Sequence, residues 1–320
     1  RSGCYPFEKN PLISNLVGAK TSKNDRDSII EVVGNVNTVA LAQPYMTIES
    51  LIGETGELLF EKEKVASEEA IKRFNDSLDT WEQEQGYKIV EKKGLIGIDS
   101  YYDTTVYILN KLLELSHKVN REQQKRNEQY LNNCGIEWDD STKKNALQYL
   151  FVNSNVMLIY GAAGTGKTTL INYISNVMSQ SMKLYLTKTH TALQNVQRYL
   201  KCEEDNCDFE IIDSVVKCNL TKKYDIIFID ECSTIDNRIM KELLKKIDKE
   251  TMLVLSGDIY QIESIDFGNW FYYAKDIIKT KGANVELCHT WRTEKEELKS
   301  LWNAVREKSS IITEKLSMDG

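Results

Sequence analysis

Residues 161–169 read GAAGTGKTT and directly follow the apolar run VMLIY. Gly161, Gly166, Lys167 and Thr168 occupy the fixed positions of the G-x4-GK[ST] pattern, and an amphipathic stretch follows them. In such a loop, backbone N–H groups curl around phosphates, the lysine reaches the terminal phosphates and the threonine hydroxyl meets Mg²⁺. The sequence therefore predicts a phosphate-binding loop made of Gly161, Ala162, Ala163, Gly164, Thr165, Gly166, Lys167, Thr168 and Thr169.

A second apolar run, YDIIFI, ends in two adjacent acids, Asp230 and Glu231. The first carboxylate can enter the Mg²⁺ shell, and the second can polarise an attacking water. An acidic pair after a strand is usually a solvated strand end, but its place after a phosphate-binding loop favours chemistry.

Two further segments place polar residues after predicted strands. In TKTHTALQN, Thr189 and His190 could grip a phosphodiester backbone, whereas the alternative is a helix cap. In WRTEKEELKSLWNAVR, Arg292 could contact a γ-phosphate, whereas the alternative is a surface ion pair.

Large aromatic residues lie in and just after the segment GDIYQIESIDFGNW, residues 257–270. Phe267 and Trp270 could stack on unpaired bases, or they could belong to the core of a following helix. For Phe271 the core interpretation is preferred.

The elements that must position these residues alternate along the chain from about residue 141. Amphipathic segments mostly separate short apolar runs, and this pattern predicts a parallel sheet covered by helices on both faces. The predicted strands are 156–160, 183–187, 209–212, 225–229 and 252–256.

The first part of the chain has a mixed pattern, which predicts a separate α+β region over 1–100. We expect strands near 29–33, 38–42 and 57–60, and a polar helix over 67–85. Residues 103–131 read as one long linking helix with a solvated face.

Composition limits the class of protein. The 320 residues contain no apolar run of membrane-spanning length, so we expect no membrane partner. Seven scattered cysteines indicate reduced thiols, and with no targeting segment they predict a cytoplasmic protein. Residues 1–140 carry all of the net charge of −7, so any nucleic-acid contact in 141–320 relies on local basic groups.

Taken in order, GAAGTGKTT, TKTHTALQN, IDEC, GDIYQI and LCHTWRT resemble motifs I, Ia, II, III and IV of superfamily 1 helicases, most closely the RecD-like branch. The resemblance covers about 141–308. It implies a RecA-like P-loop NTPase domain over 141–283, after an N-terminal domain over 1–100 and a linking helix over 101–140. It also implies that 284–320 begins a second RecA-like domain.

The resemblance also implies roles for individual residues. Lys167 and Thr168 would bind ATP and Mg²⁺. Asp230 would join the Mg²⁺ shell, Glu231 would activate the hydrolytic water, and Gln261 would sense the γ-phosphate.

For the remaining motifs, Arg292 would be the arginine finger, while Thr189 and His190 would face single-stranded nucleic acid. The family's adenine-reading glutamine should fall near STKKNALQ, where Asn145 is the best-placed residue and Gln148 is offset. Motifs V and VI do not appear before Gly320, so we expect the sequence to be part of a longer protein.

The leading functional hypothesis is an ATP-hydrolysing motor module stimulated by single-stranded DNA, with RNA as a possible partner. One alternative is an ATP-driven sensor that gates an effector or partner protein through residues 1–140, for instance in a prokaryotic antiviral defence system. The other is a nuclease-associated ATPase, because Glu91, Lys93 and Asp79 include the Glu-x-Lys pattern of a restriction-type nuclease.

Overall fold

The computed structural model describes residues 36–118, 120–136, 138, 141–200, 206–218, 220, 222–259 and 267–289. The chain divides into two compact units, Arg1–Asp103 and Thr104–Gly320. The strand expected near 29–33 and the predicted site residues Gln261 and Arg292 lie outside the described residues. Over the described ranges, no helix combines the length and apolar character needed to cross a membrane.

The first unit combines short helices with one hairpin. Strands β1 and β2 pair in antiparallel register, with Ile89 opposite Ile98 and Lys92 opposite Leu95. The elements are α1 (Val36–Thr55), α2 (Lys62–Val65), α3 (Glu68–Ser77), α4 (Thr80–Glu84), β1 (Ile89–Lys92) and β2 (Leu95–Ile98).

Two predicted strands in this unit are wrong. Residues 38–42 lie inside α1, which buries Tyr45, Ile48 and Ile52 at helical spacing. Residues 57–60 form only a single bridge, from Phe60 to Ile96. Their β-branched and apolar residues suggested strands because a short run does not reveal the helical period that surrounds it.

The predicted helix over 67–85 is two helices. Leu78, which follows α3, has extended backbone angles, and Asp79 then caps α4. The Asp79 carboxylate accepts from the Glu82 N–H while the Glu82 side chain accepts from the Asp79 N–H, which is a complete capping box.

The second unit is built around one sheet. Its helices are α5 (Asp99–Leu115, which begins in the first unit), α6 (Arg121–Asn133), α7 (Ser141–Gln148), α8 (Lys167–Val177), α9 (His190–Tyr199), α10 (Ile212–Lys217), α11 (Asn237–Lys246) and α12 (Trp270–Ile277). Its strands are β3 (Val156–Gly161), β4 (Lys183–Thr187), β5 (Cys207–Ile211), β6 (Ile226–Ile229), β7 (Met252–Gly257) and β8 (Asn284–Leu287).

The six strands pair in parallel in the order β5-β4-β6-β7-β3-β8. This arrangement confirms the predicted α/β fold class with a parallel P-loop core. The strand expected over 209–212 begins and ends earlier, because Ile212 opens α10. Strand β8 pairs with β3, so residues 284–287 belong to this sheet and do not begin a second domain.

Both faces of the sheet are covered. Along β3, Val156, Leu158 and Tyr160 pack into one buried cluster with residues of α5, α11 and α12. Met157 and Ile159 point the other way, into a cluster with residues of α7 and α8. This alternation is the period of two expected for a strand buried on both faces.

The single long helix predicted over 103–131 is wrong, because the chain forms α5 and α6 instead. The side chain of Asn120 caps α6 by accepting from the Gln123 N–H at 3.1 Å. The Asn120 N–H donates to the Val152 carbonyl at 2.7 Å. Helix α5 also contributes buried residues, including Ile108 and Leu112, so it is part of the core rather than a solvated connector.

Candidate nucleotide-binding site

The loop between β3 and α8 contains the predicted phosphate-binding residues. Gly164 and Gly166 have φ values of 81° and 88°, a conformation that glycine adopts without steric cost. Lys167 opens α8, and its Nζ donates to the carbonyls of Gly161 and Ala162 at 2.7 and 3.0 Å. The lysine therefore folds back over its own loop.

The acidic pair directly follows β6, at the same edge of the sheet as the loop after β3. The Asp230 carboxylate accepts from the Glu231 N–H at 3.0 Å. Glu231 has φ 58°, which is unusual for a residue with a side chain. Non-glycine residues held in this backbone region cluster at active sites and ligand-binding segments.

The surroundings of Glu231 shift the pKa of its carboxyl group. The residue is exposed as a whole, yet partial desolvation of its carboxyl raises its pKa. The carboxylate of Asp230 raises that pKa further, and the ammonium of Lys167 lowers it. Desolvation and the Asp230 carboxylate outweigh the Lys167 ammonium, so the net effect is a raised pKa, which makes the Glu231 carboxylate a stronger base.

The residues predicted to hold Mg²⁺ fit that ion. Thr168 and Asp230 line the same small pocket between α8 and the sheet, together with Ile171 and Phe228. A hydroxyl and a carboxylate supply the oxygen ligands that Mg²⁺ prefers, and water and phosphate oxygens complete its shell.

The predicted nucleic-acid contacts after β4 lie at the surface. Thr189 and His190 are both exposed. The Thr189 hydroxyl caps α9 by accepting from the Ala192 N–H at 3.2 Å, which is the structural alternative raised by the sequence. Next to them, Lys188 pairs with Asp213 at 3.0 Å.

The prediction that Trp270 stacks on bases is contradicted. Its side chain is 0% exposed, and its indole N–H donates to the Ile235 carbonyl at 2.8 Å. Phe271 is also buried, packed on the ring of Tyr160 at 4.7 Å between centroids, as preferred from the sequence. Phe267 is half-buried and keeps part of its surface toward solvent.

Helix α7 turns a different residue toward the loop than the sequence suggested. Asn145 is exposed, whereas Lys143 is 5% exposed. The Lys143 Nζ lies 2.9 Å from the position that a Cβ on Gly166 would occupy. The signal was present in the sequence, because Lys143 precedes Ala146 and Leu147 at the i+3 and i+4 spacing of a buried helical face.

Tyr199, at the end of α9, is a second residue that the sequence analysis missed. Its hydroxyl lies 2.9 Å from the Thr169 hydroxyl, in the first turn of α8. The residue is 49% exposed. Tyrosine at the end of an amphipathic helix gives no sequence signal of its own, and only the packing of α9 beside α8 reveals it.

The residues that suggested a nuclease have structural partners. The Asp79 carboxylate is the capping group of α4. Glu91 pairs with Lys62 at 3.8 Å. Within the part of the chain that the structure describes, no group of three or more His, Cys, Asp or Glu side chains could hold a metal ion.

A family model described as an AAA domain matches residues 140–318. The chain is similar to the RecBCD enzyme subunit RecD of Buchnera aphidicola, with 28% identity over 196 residues, or 51% of this chain and 32% of RecD. It is also similar to an uncharacterized protein of Methanocaldococcus jannaschii, with 32% identity over 146 residues, or 38% of this chain and 12% of that protein. The chain thus spans about a third or less of the curated relatives it matches.

Among solved structures, the chain is similar to Bacteroides Pif1 bound to single-stranded DNA, with a TM-score of 0.40 and 16% identity over 57% of this chain and 49% of Pif1. It is also similar to Pif1 helicase from Candida albicans, with a TM-score of 0.32 and 17% identity over 53% of this chain and 44% of that one.

Proposed function

The chain belongs to the AAA domain family, and from this membership we propose that it is an ATP-dependent nucleic-acid motor module that hydrolyses ATP when single-stranded DNA binds. The resemblance to superfamily 1 helicases is confirmed by the similarity to RecD. The prediction of a helicase-like ATP hydrolase is confirmed at the level of the family. Two further properties are proposed here: that DNA stimulates ATP hydrolysis, and that hydrolysis drives movement along the nucleic acid.

The observation that carries the proposal is the position of Glu231. It holds a left-handed backbone conformation directly after β6, with Asp230 before it and the charge of Lys167 acting on it. A carboxylate so placed can accept a proton from a water that attacks the terminal phosphate.

Three other residues would bind Mg²⁺ and the phosphates. Bound Mg²⁺ would neutralise charge that develops on the phosphates, and Thr168 and Asp230 are the residues that would hold it. Lys167 would exchange its bonds to the loop carbonyls for bonds to phosphate. These side chains follow two different strands of one sheet, β3 and β6, which keeps their spacing fixed before ATP binds.

Single-stranded DNA is proposed as the activating partner because the motifs of the chain resemble those of superfamily 1 helicases, and because the chain is similar to the RecD subunit of the RecBCD enzyme. Thr189 and His190 are exposed just after β4, so both can reach a strand laid across that edge of the sheet.

Steady-state ATP hydrolysis, measured with and without single-stranded oligodeoxynucleotide, tests the proposal. We expect the DNA to raise the turnover rate severalfold. Lys167→Ala should remove hydrolysis in both conditions, because the terminal phosphates lose their cation. Lys217→Ala, at an exposed lysine of α10, is the matched control and should leave both rates unchanged. Equal rates with and without every DNA and RNA tested would overturn the proposal.

A second measurement separates a motor from a switch that only senses nucleic acid. Displacement of a labelled strand from a forked duplex should require ATP and an intact Lys167. Hydrolysis that DNA stimulates without any strand displacement or movement along DNA would contradict the motor step while leaving the ATPase assignment in place.

A further inference from the structure

Ser256 lies near the end of β7, between the two strands that carry the nucleotide site. Strand β7 is flanked by β6, which leads into Asp230, and by β3, which leads into the phosphate-binding loop. In the ladders of this sheet, Leu255 pairs with Ile229 and Ser256 pairs with Ile159. Asp230 directly follows Ile229, so Ser256 and Asp230 are neighbours on adjacent strands.

Ser256 and Asp230 face the same side of the sheet. Val254 is two residues before Ser256, and it packs into the cluster that contains residues of α7 and α8. Phe228, two residues before Asp230, belongs to the same cluster. The Asp230 N–H donates to the Leu186 carbonyl at 3.1 Å, so the strand pairing continues through Asp230. Because side chains alternate along a strand and adjacent strands lie about 5 Å apart, the serine hydroxyl is within reach of the carboxylate.

Both side chains have hydrogen-bonding capacity that the described residues leave unused. Ser256 is 0% exposed, and its hydroxyl has no hydrogen-bond partner in the part of the chain that the structure describes. A buried hydroxyl without a partner destabilises a fold, so each one needs a reason. One Asp230 oxygen accepts from the Glu231 N–H, and no other described protein group donates to this carboxylate. A donor without an acceptor thus lies beside an acceptor with room for a donor.

The turn that follows Asp230 packs directly on the end of β7. The backbone of Ser256 hydrogen-bonds to the side chain of Cys232. On the next residue of β7, a Cβ added to Gly257 would lie 3.2 Å from the backbone nitrogen of Ser233. These two contacts fix the end of β7 against the turn, so Ser256 and Asp230 keep their relative position before a ligand binds.

We propose that Ser256 is a positioning residue of the Mg²⁺ site, whose hydroxyl donates to the Asp230 carboxylate when Mg²⁺ and nucleotide are bound. The Glu231 N–H and the Ser256 hydroxyl would then hold the carboxylate from two sides and orient it toward the ion. Loss of such a hydrogen bond typically lowers metal affinity by about 10–100-fold. The inference rests on the proposed function, since it takes Asp230 as a residue that holds Mg²⁺.

Equilibrium binding of a fluorescent, slowly hydrolysed ATP analogue, titrated with Mg²⁺, tests this role without depending on turnover. For Ser256→Ala we expect the Mg²⁺ concentration at half-maximal binding to rise about tenfold or more. Binding of the analogue in EDTA should stay at the wild-type level, because the phosphate-binding loop is untouched.

Thermal unfolding of the ligand-free protein gives a readout that a purely structural role would move in the opposite direction. Alanine removes a buried hydroxyl that has no described partner, so Ser256→Ala should keep the wild-type Tm or raise it. Ser154→Ala is the matched control, because Ser154 is 2% exposed and its hydroxyl bonds to both the N–H and the carbonyl of Val156, at the start of β3. This control should lower the Tm and leave the Mg²⁺ requirement unchanged.

Ser256→Cys covers the case in which the alanine variant does not fold, because cysteine is close to serine in size and is a weak donor. It should raise the Mg²⁺ requirement in the same direction. An unchanged Mg²⁺ requirement in either folded variant would overturn the role of Ser256 alone. Wild-type protein that binds the analogue equally well with and without Mg²⁺ would overturn the Mg²⁺ site as well. Neither measurement contains DNA, so stimulation by DNA and strand displacement are judged separately.

Discussion

At Glu231 the backbone adopts φ 58°, and the same residue carries the carboxylate that we propose as the proton acceptor. The left-handed conformation costs a non-glycine residue about 1–2 kcal/mol, whereas glycine adopts it freely. Glycine at this position would also raise the entropy of the unfolded chain, which costs about 0.4–1 kcal/mol. Because the first effect is the larger, Glu231→Gly should raise the free energy of unfolding by up to about 1 kcal/mol.

The same substitution should abolish ATP hydrolysis while keeping ATP binding, since it removes the proton acceptor and leaves the phosphate-binding loop intact. Urea unfolding and nucleotide binding by fluorescence measure the two effects. Glu128→Gly, at an exposed position inside α6, is the control and should lose about 1 kcal/mol of stability. A clear loss of stability in Glu231→Gly would show that this backbone conformation is not a source of strain.

At the scale of elements, α12 packs into the core through Trp270, a residue for which the sequence left base stacking and a core position open. Trp270 is fully buried and bonds to the Ile235 carbonyl, and Phe271 packs on Tyr160. Trp270→Ala should therefore destabilise the fold by about 3–5 kcal/mol, because it leaves a cavity and an unpaired carbonyl. Thermal unfolding measures this loss.

Tyr272→Ala is the matched control for Trp270→Ala. Tyr272 belongs to the same helix but is 49% exposed, and its loss should change stability by no more than about 0.5 kcal/mol. A Trp270→Ala variant with wild-type stability and weakened stimulation by DNA would instead restore the stacking role predicted from the sequence.

Elements with a strong local signal could be predicted from the sequence. The strand that ends at Gly161 and the strand before Asp230 are continuous apolar runs, so the structure confirms both predicted strands. Trp270 was harder, because an aromatic residue at a helix start looks the same in sequence whether it faces the core or solvent. Lys143 was missed because its charge suggested exposure, whereas its helical spacing with apolar residues indicated burial.

The break between α5 and α6 shows why longer elements were less predictable. The residues over 116–120, which are polar except for Val119, remain compatible with a helix by composition alone. What ends the helical run is a tertiary contact, the bond from the Asn120 N–H to the Val152 carbonyl, together with the cap that Asn120 provides. A contact between residues distant in sequence leaves no local pattern to read.

At the scale of the whole molecule, the nucleotide site and the first unit are built from different residues. Lys167, Asp230 and Glu231 all belong to the unit Thr104–Gly320. The first unit has its own buried residues, among them Phe74, which is 1% exposed. Phe74 packs against Tyr45 with 5.6 Å between ring centroids. Each unit thus has its own set of buried side chains, and removing one of them should lower the stability of that unit alone.

Phe74→Ala should lower the free energy of unfolding of the first unit by about 3–5 kcal/mol, because neighbouring side chains cannot fill the large cavity that it leaves. Hydrogen exchange followed by mass spectrometry should show faster exchange within residues 36–103, whereas nucleotide binding should keep its wild-type affinity. Phe228→Ala, at a residue 2% exposed in β6, is the matched control and should weaken nucleotide binding, because Phe228 lines the pocket shared by Thr168 and Asp230. Loss of nucleotide binding in Phe74→Ala would mean that the ATPase unit depends on the first unit for its fold.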